Sequence, residues 1–159
     1  MARQAAAALL LALVFAWHGG AGAGELPVER MLAAINELRH QHGLEPLMAE
    51  ERLMRVAQDH ARDMALNGFV GHSGSDGTGL EGRLARIGYP YRRAAENVAA
   101  GTETPAETVA GWMGSDGHRR NILSPGLREA GVGYVATPGE DAAGYRHYWA
   151  LVLGARAAP

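Results

Sequence analysis

Apolar residues recur along this 159-residue chain at two different periods, and the change of period marks out the elements. Val28, Met31, Leu32, Ile35 and Leu38 fall at helical spacing, with Pro27 at a favourable start and Gly43 at the end. A second helix is predicted from about Ala49 to Leu66. Its apolar positions are Leu53, Met54, Val56, Ala57, Ala61, Met64 and Ala65, and Asn67-Gly68 stops it. A polar Gly/Ser loop follows over 71–79. Leu80, Leu84 and Ile87 then predict a short third helix, ended by Gly88 and Pro90. Arg93 to Ala99 reads as extended. Thr104-Pro105-Ala106-Glu107 opens a fourth helix with a capping Thr, Pro at the first position and Glu at the third. Asn121 to Leu123 reads as a short turn.

The period changes to two near the end. Gly131–Ala136 and Tyr145–Leu153 read as strands joined by a Pro-Gly-Glu-Asp loop. In the last strand Trp149, Leu151 and Leu153 share one face, and Tyr148, Ala150 and Val152 the other. Both faces are apolar, which predicts a central strand covered by helices on both sides. Helices first and strands in the last third indicate an α+β domain.

Residues 1–23 read as a secretory signal: Arg3, an apolar run from Ala5 to Trp17, and Ala21-Gly22-Ala23 as the small-x-small cleavage pattern. The apolar run is too short for a comfortable membrane span, and no other run approaches one. The expected mature unit is a single domain over 24–159 with its core in 28–154, secreted or periplasmic, with short tails at Gly24–Pro27 and Ala155–Pro159.

Composition narrows the chemistry. The chain is 47% hydrophobic and 20% charged, which suits a globular domain. Its formal net charge of −2 argues against a general nucleic-acid partner. All 15 basic residues counted as Lys plus Arg are arginines, which excludes Schiff-base and P-loop lysine chemistry. There is no cysteine, which excludes thiol nucleophiles, disulfides and thiolate metal sites. An exported fold without disulfides is held by packing alone. Ser73, Ser75 and Ser115 lie near histidines, but no G-x-S-x-G elbow supports a serine hydrolase.

Several strings follow one another in a telling order: Ile35-Asn36-Glu37-Leu38-Arg39, Gly71-His72-Ser73, Ala95-Glu96-Asn97-Val98-Ala99, Trp112 through Leu123, Gly131-Val132-Gly133-Tyr134 and Tyr148-Trp149. In this order the chain resembles the CAP superfamily of cysteine-rich secretory, antigen 5 and pathogenesis-related proteins, and most of all its small bacterial SCP-like members. The resemblance spans about Val28 to Gly154. It implies a three-layer α-β-α sandwich with a central, mainly antiparallel sheet. It also implies a cleft holding two histidines and two carboxylates. By motif, His72, Glu96 and His118 carry over, while Ser115 stands where eukaryotic relatives have the second Glu. Asp116 and Glu81 are the nearest alternative carboxylates.

His72 and His118 are the candidate metal ligands, for zinc or another divalent ion, with Glu96 as a ligand, an orienting group or a general base. Three readings stay open. The first is a secreted binding module whose cleft of His72, Glu96, Ser115 and His118 recognises a lipid, an envelope glycan or a protein. The second is a metal-dependent, peptidase-like hydrolase using His72, His118 and Glu96. The third is a structural envelope protein. The remaining histidines and the aromatics Trp112, Tyr134, Tyr148 and Trp149 read as packing or sheet residues, and Arg119-Arg120 as a solvated pair or an anion contact.

Overall fold

The strand nearest the C-terminus organises everything else. In the computed structural model, which describes residues 26–157 except 142, strand β4 (His147–Arg156) lies inside a four-stranded sheet of order β1-β3-β4-β2. β3 (Glu129–Ala136) and β2 (Tyr91–Ala100) flank it, both antiparallel. The two-residue β1 (Met48–Ala49) pairs parallel with the start of β3. The signal reading of residues 1–23 lies outside the described residues. Among those described, no helix is long and apolar enough to cross a membrane.

The alternation along β4 divides the core as its sequence predicts. Trp149, Leu151 and Leu153 pack with Met31 and Ile35 of α1 (Pro27–Gln41), Val109 and Trp112 of α4 (Pro105–Gly114), and Ile122 of α5 (Asp116–Ile122). Tyr148, Ala150 and Val152 pack with Leu53, Ala57, Ala61 and Met64 of α2 (Glu51–Asn67) and Leu84 of α3 (Leu80–Arg86). Helices therefore cover both faces, giving the α-β-α sandwich.

Local chemistry sets the boundaries. Thr104 and Glu107 form the reciprocal cap of α4: the Glu107 amide donates to the Thr104 hydroxyl and the Thr104 amide to the Glu107 carboxylate, each at 3.2 Å. Gly68 ends α2 in the left-handed region, at φ 63°. The start of α2 is two residues later than the apolar period suggests. Met48 and Glu50 donate their amides to Arg128 and Ala130, which draws 48–49 into the sheet, and Glu50 then caps the helix by accepting from the Leu53 amide at 2.9 Å. The turn expected at Asn121–Leu123 is the end of the seven-residue α5. The expected tail at Ala155 continues β4 to Arg156, while Tyr145 sits before the strand because Asp141 accepts its amide in a turn.

Arg39 is fully buried and faces no carboxylate. It donates to the carbonyls of Glu45, Ile122, Ser124 and Leu127, tying the end of α1 to the segment after α5. Burial is the main influence pulling its pKa down. Two of these carbonyls lie at the C-terminal end of α5, where a cation is favoured.

Other side chains fasten helices to strands. Gln58 of α2 brackets Tyr134, accepting its amide at 3.1 Å and donating to its carbonyl at 3.0 Å, and the Met54 sulfur accepts the Val132 amide. Across the sheet, the Trp112 indole donates to the Val98 carbonyl at 3.1 Å and Asn121 to the Glu96 carbonyl at 3.3 Å. The helix α2 can lie this close because β3 carries glycine at the crossing. A Cβ at Gly131 would run into the Leu53 carbonyl, and one at Gly133 into that of Ala57. Gly131→Ala should therefore cost about 1–3 kcal/mol or more. It would be read as a lower urea midpoint at an unchanged m-value; a midpoint equal to wild type would show that α2 steps back freely.

Candidate functional site

Neighbouring residues of β2 point to opposite faces of the sheet, and each holds one of the two candidate histidines. Glu96 turns toward α2 and α3. Its Oε1 accepts from His72 Nδ1 at 3.0 Å, and its Oε2 accepts from Arg83 Nη2 at 2.5 Å. His60 Nε2 lies 3.8 Å from the same Oε1. Asn97 turns toward α5, donates to the His118 carbonyl at 3.1 Å and accepts from Asn121 at 2.9 Å. Both Glu96 and Asn97 are buried.

The main chain around His72 is fixed from two sides. Nε2 of the buried His60 donates to the Gly71 carbonyl at 2.8 Å, and Arg83 Nη1 donates to the His72 carbonyl at 3.0 Å. The His72 side chain is exposed, at 60%. Its Nδ1 donates to Glu96, so Nε2 is the ring nitrogen not taken by this pairing. His118 is half-buried beside Trp112, with ring centroids 6.5 Å apart. Burial lowers its pKa below the ordinary histidine value, and the charge of nearby His72 lowers it further. At neutral pH it is the uncharged imidazole, able to accept a hydrogen bond or a metal.

The structure thus pairs His72 directly with Glu96, while His118 is held through its carbonyl by Asn97 and lies near enough to His72 to feel its charge. Ser115, at the junction of α4 and α5, is half-buried and its hydroxyl makes no capping bond to α5. Neither alternative carboxylate joins the cluster: Asp116 is exposed and pairs with Arg119 at 2.5 Å, and Glu81 is exposed on α3. Among the described residues, no group of three or more His, Asp or Glu side chains is placed to hold a metal ion. The two candidate ligands, His72 and His118, are by themselves one short of the three protein ligands that a catalytic zinc site uses.

Two members of the site escape sequence reasoning. His60 and Arg83 both sit beside apolar helix positions, Ala57 and Ala61 in one case and Leu84 in the other, and so look like ordinary helix residues. The available signal is that His60 falls on the buried stripe of α2, where a polar ring needs a partner. The remaining candidates are absorbed by packing. Trp112, Tyr148 and Trp149 are buried, and the half-buried Tyr134 lies 4.1 Å from Trp149 between ring centroids. His147 bonds the Tyr134 hydroxyl at 2.8 Å. His42 bonds the Leu38 carbonyl at the end of α1.

The family model for CAP, the cysteine-rich secretory protein family, matches residues 32–153. The chain belongs to that family. It is 36% identical over 107 residues to the uncharacterized protein YkwD of Bacillus subtilis (strain 168), covering 67% of this chain and 42% of that one. It is 30% identical over 105 residues to the uncharacterized membrane protein YlbC of the same organism, covering 66% of this chain and 30% of that one. The chain therefore spans less than half the length of these curated relatives. Among solved structures, it superposes at TM-score 0.71 and 26% identity on an extracellular SCP-domain protein from Bacillus anthracis str. Ames, covering 82% of this chain and 40% of that one. An outer surface protein of Borrelia burgdorferi shares the fold at TM-score 0.71 and 20% identity, covering 81% of this chain and 92% of that one.

The buried carboxylate and its partners can be probed by substitution and by acid. Arg83→Met strands the Glu96 carboxylate in a buried position and should cost about 3–5 kcal/mol. Adding Glu96→Gln should recover part of that loss in a denaturation series, and additive losses would mean the two side chains act separately. In acid the histidines take over. Burial lowers the His60 pKa most strongly, against the opposing pull of Glu96, and His118 moves in the same direction. A histidine whose folded pKa lies below its unfolded value leaves the unfolded chain binding more protons. Stability should then be flat above about pH 7 and fall as pH drops through the ordinary histidine value of 6.5. His60→Gln should flatten the fall in melting temperature; an unchanged slope would remove His60 as its source.

Proposed function

We propose that this protein is an extracytoplasmic binding module. The cleft formed by His72, His118, Ser115 and the Glu96 behind them would recognise a lipid, an envelope glycan or a protein. The observation that carries this reading is that Glu96 is committed. One oxygen takes Arg83, the other takes His72, and the carboxylate is buried. Such a group orients an imidazole; to act as a base it would first have to leave its arginine. His72 is exposed and His118 half-buried, and the half-buried Ser115 stands three residues before His118. The extracellular SCP-domain relative supports placing the chain outside the cytoplasm.

The competing reading, a metal-dependent hydrolase using His72, His118 and Glu96, draws on the same pairing. A carboxylate bonded to the far nitrogen is how proteins orient a metal-binding imidazole. Zinc bound there would rest on two protein ligands and be held weakly.

Calorimetric titration of the full chain with zinc separates the two. The expected result is affinity weaker than about 10 µM, lost in His72→Ala and His118→Ala, with retention on purified envelope material reduced in both variants at unchanged melting temperature. Tight zinc binding abolished by both substitutions would favour the hydrolase. Retention indifferent to both would overturn the cleft as the recognition surface.

A further inference from the structure

The sheet end where β2 begins treats its two faces differently. On one face Arg156, at the end of β4, is held by Glu50 at 3.0 Å and by Glu129 at 2.9 Å. On the other face stand two arginines with no such partner. Arg93 pairs in register with Ala155, which belongs to the core beneath α1, so Arg93 shares that face. Arg128 lies two residues before Ala130 of the same core, at the entry to β3. Both are exposed, and neither forms an ion pair among the described residues. By contrast, the exposed Arg62, Arg86 and Arg119 are each compensated, by Asp59, Asp76 and Asp116.

The turn Ser124–Leu127 adjoins both arginines, and its Leu127 amide reaches the Ser124 carbonyl at 3.4 Å. A Cβ at Gly126 would come within 3.2 Å of Arg93 Nη1, so Arg93 lies against the turn at a position with no side chain. From beneath, the buried Arg39 donates to the carbonyls of Ser124 and Leu127. The charge of Arg128 reaches Arg39 and, with burial, pushes its pKa down. Three guanidinium groups therefore surround one turn, and no carboxylate among the described residues pairs with any of them. A chain of net charge −2 carries here a local positive patch.

The geometry selects the kind of anion. Arg93 is on β2 and Arg128 is at β3, with β4 between them, so their backbones are about 9–10 Å apart. Guanidinium forks match phosphate oxygens pairwise. Two exposed forks at this spacing suit successive groups of a chain rather than one isolated ion. No exposed large apolar side chain occurs at 92–93 or 124–128 to enter a bilayer.

We propose that Arg93, Arg128 and the turn between them form a binding surface for a linear phosphate-bearing polymer, separate from the His72–His118 cleft. Arg39 contributes its field from beneath and makes no contact. The test is calorimetric titration of the full chain with linear inorganic polyphosphate at several salt concentrations. Binding should weaken steeply as salt rises. Arg93→Gln and Arg128→Gln should each weaken it about tenfold, as loss of hydrogen bonds to charged groups does. Each should also lower the slope of log affinity against log salt by about one. Melting temperatures should stay at the wild-type value, since both side chains are exposed. Pro125→Glu, also at an exposed position, supplies the missing carboxylate and should weaken binding at least as much. Arg55→Gln removes the same charge from α2, on the other side of the sheet, and should change nothing; His72→Ala should change nothing either. Absence of binding, an equal loss in Arg55→Gln or His72→Ala, or binding to phosphatidylglycerol vesicles but not to polyphosphate would each overturn the proposal.

Discussion

A carboxylate buried in the sheet, on strand β2, is the constraint around which this site is arranged. Glu96 cannot stay charged in the interior without compensation. Its partners come from three separate pieces of chain: Arg83 from α3, His72 from the loop before it, and His60 from α2. None of those pieces is fixed by sheet pairing. They are brought together because the carboxylate demands neighbours, and the short α3, with one fully buried apolar residue in Leu84, depends on the arginine it supplies.

The same strand makes the site symmetrical in logic. Glu96 controls a side chain, the ring of His72; Asn97 controls a backbone, that of His118. Adjacent residues on opposite faces thus set the spacing of two imidazoles that lie far apart in sequence. In this member of the CAP family Glu96 is paired with Arg83, and the carboxylates of Asp116 and Glu81 stand apart from it. The Bacillus relatives carry the matching unit within a longer chain, of which it covers 42% and 30%.

Much of this is legible in the residues. The two-sided alternation of β4 and the Thr104–Glu107 cap identify a covered central strand and the start of α4, because both signals are local and periodic. The family strings locate His72, Glu96 and His118. β1 is not legible: two residues carry no period, and Met48–Ala49 become a strand only because Arg128 and Ala130 offer backbone partners across the fold. α5 escapes because Asp116-Gly117 disguises a helix that Asn97 anchors from another element. His60 and Arg83 escape for a related reason. Their roles exist only once Glu96 is in place, and nothing in their own neighbourhoods announces a distant carboxylate.

The side chains that fasten helices to the sheet have one more effect. Outward-facing groups of β3, at Val132 and Tyr134, are taken by Met54 and Gln58; outward carbonyls of β2, at Glu96 and Val98, are taken by Asn121 and Trp112. A sheet whose borders are occupied in this way offers little template for an incoming strand. A domain with no disulfide to lock it is thereby shielded from the edge-to-edge joining that leads to aggregation, and its contacts with other molecules fall to its helices and loops.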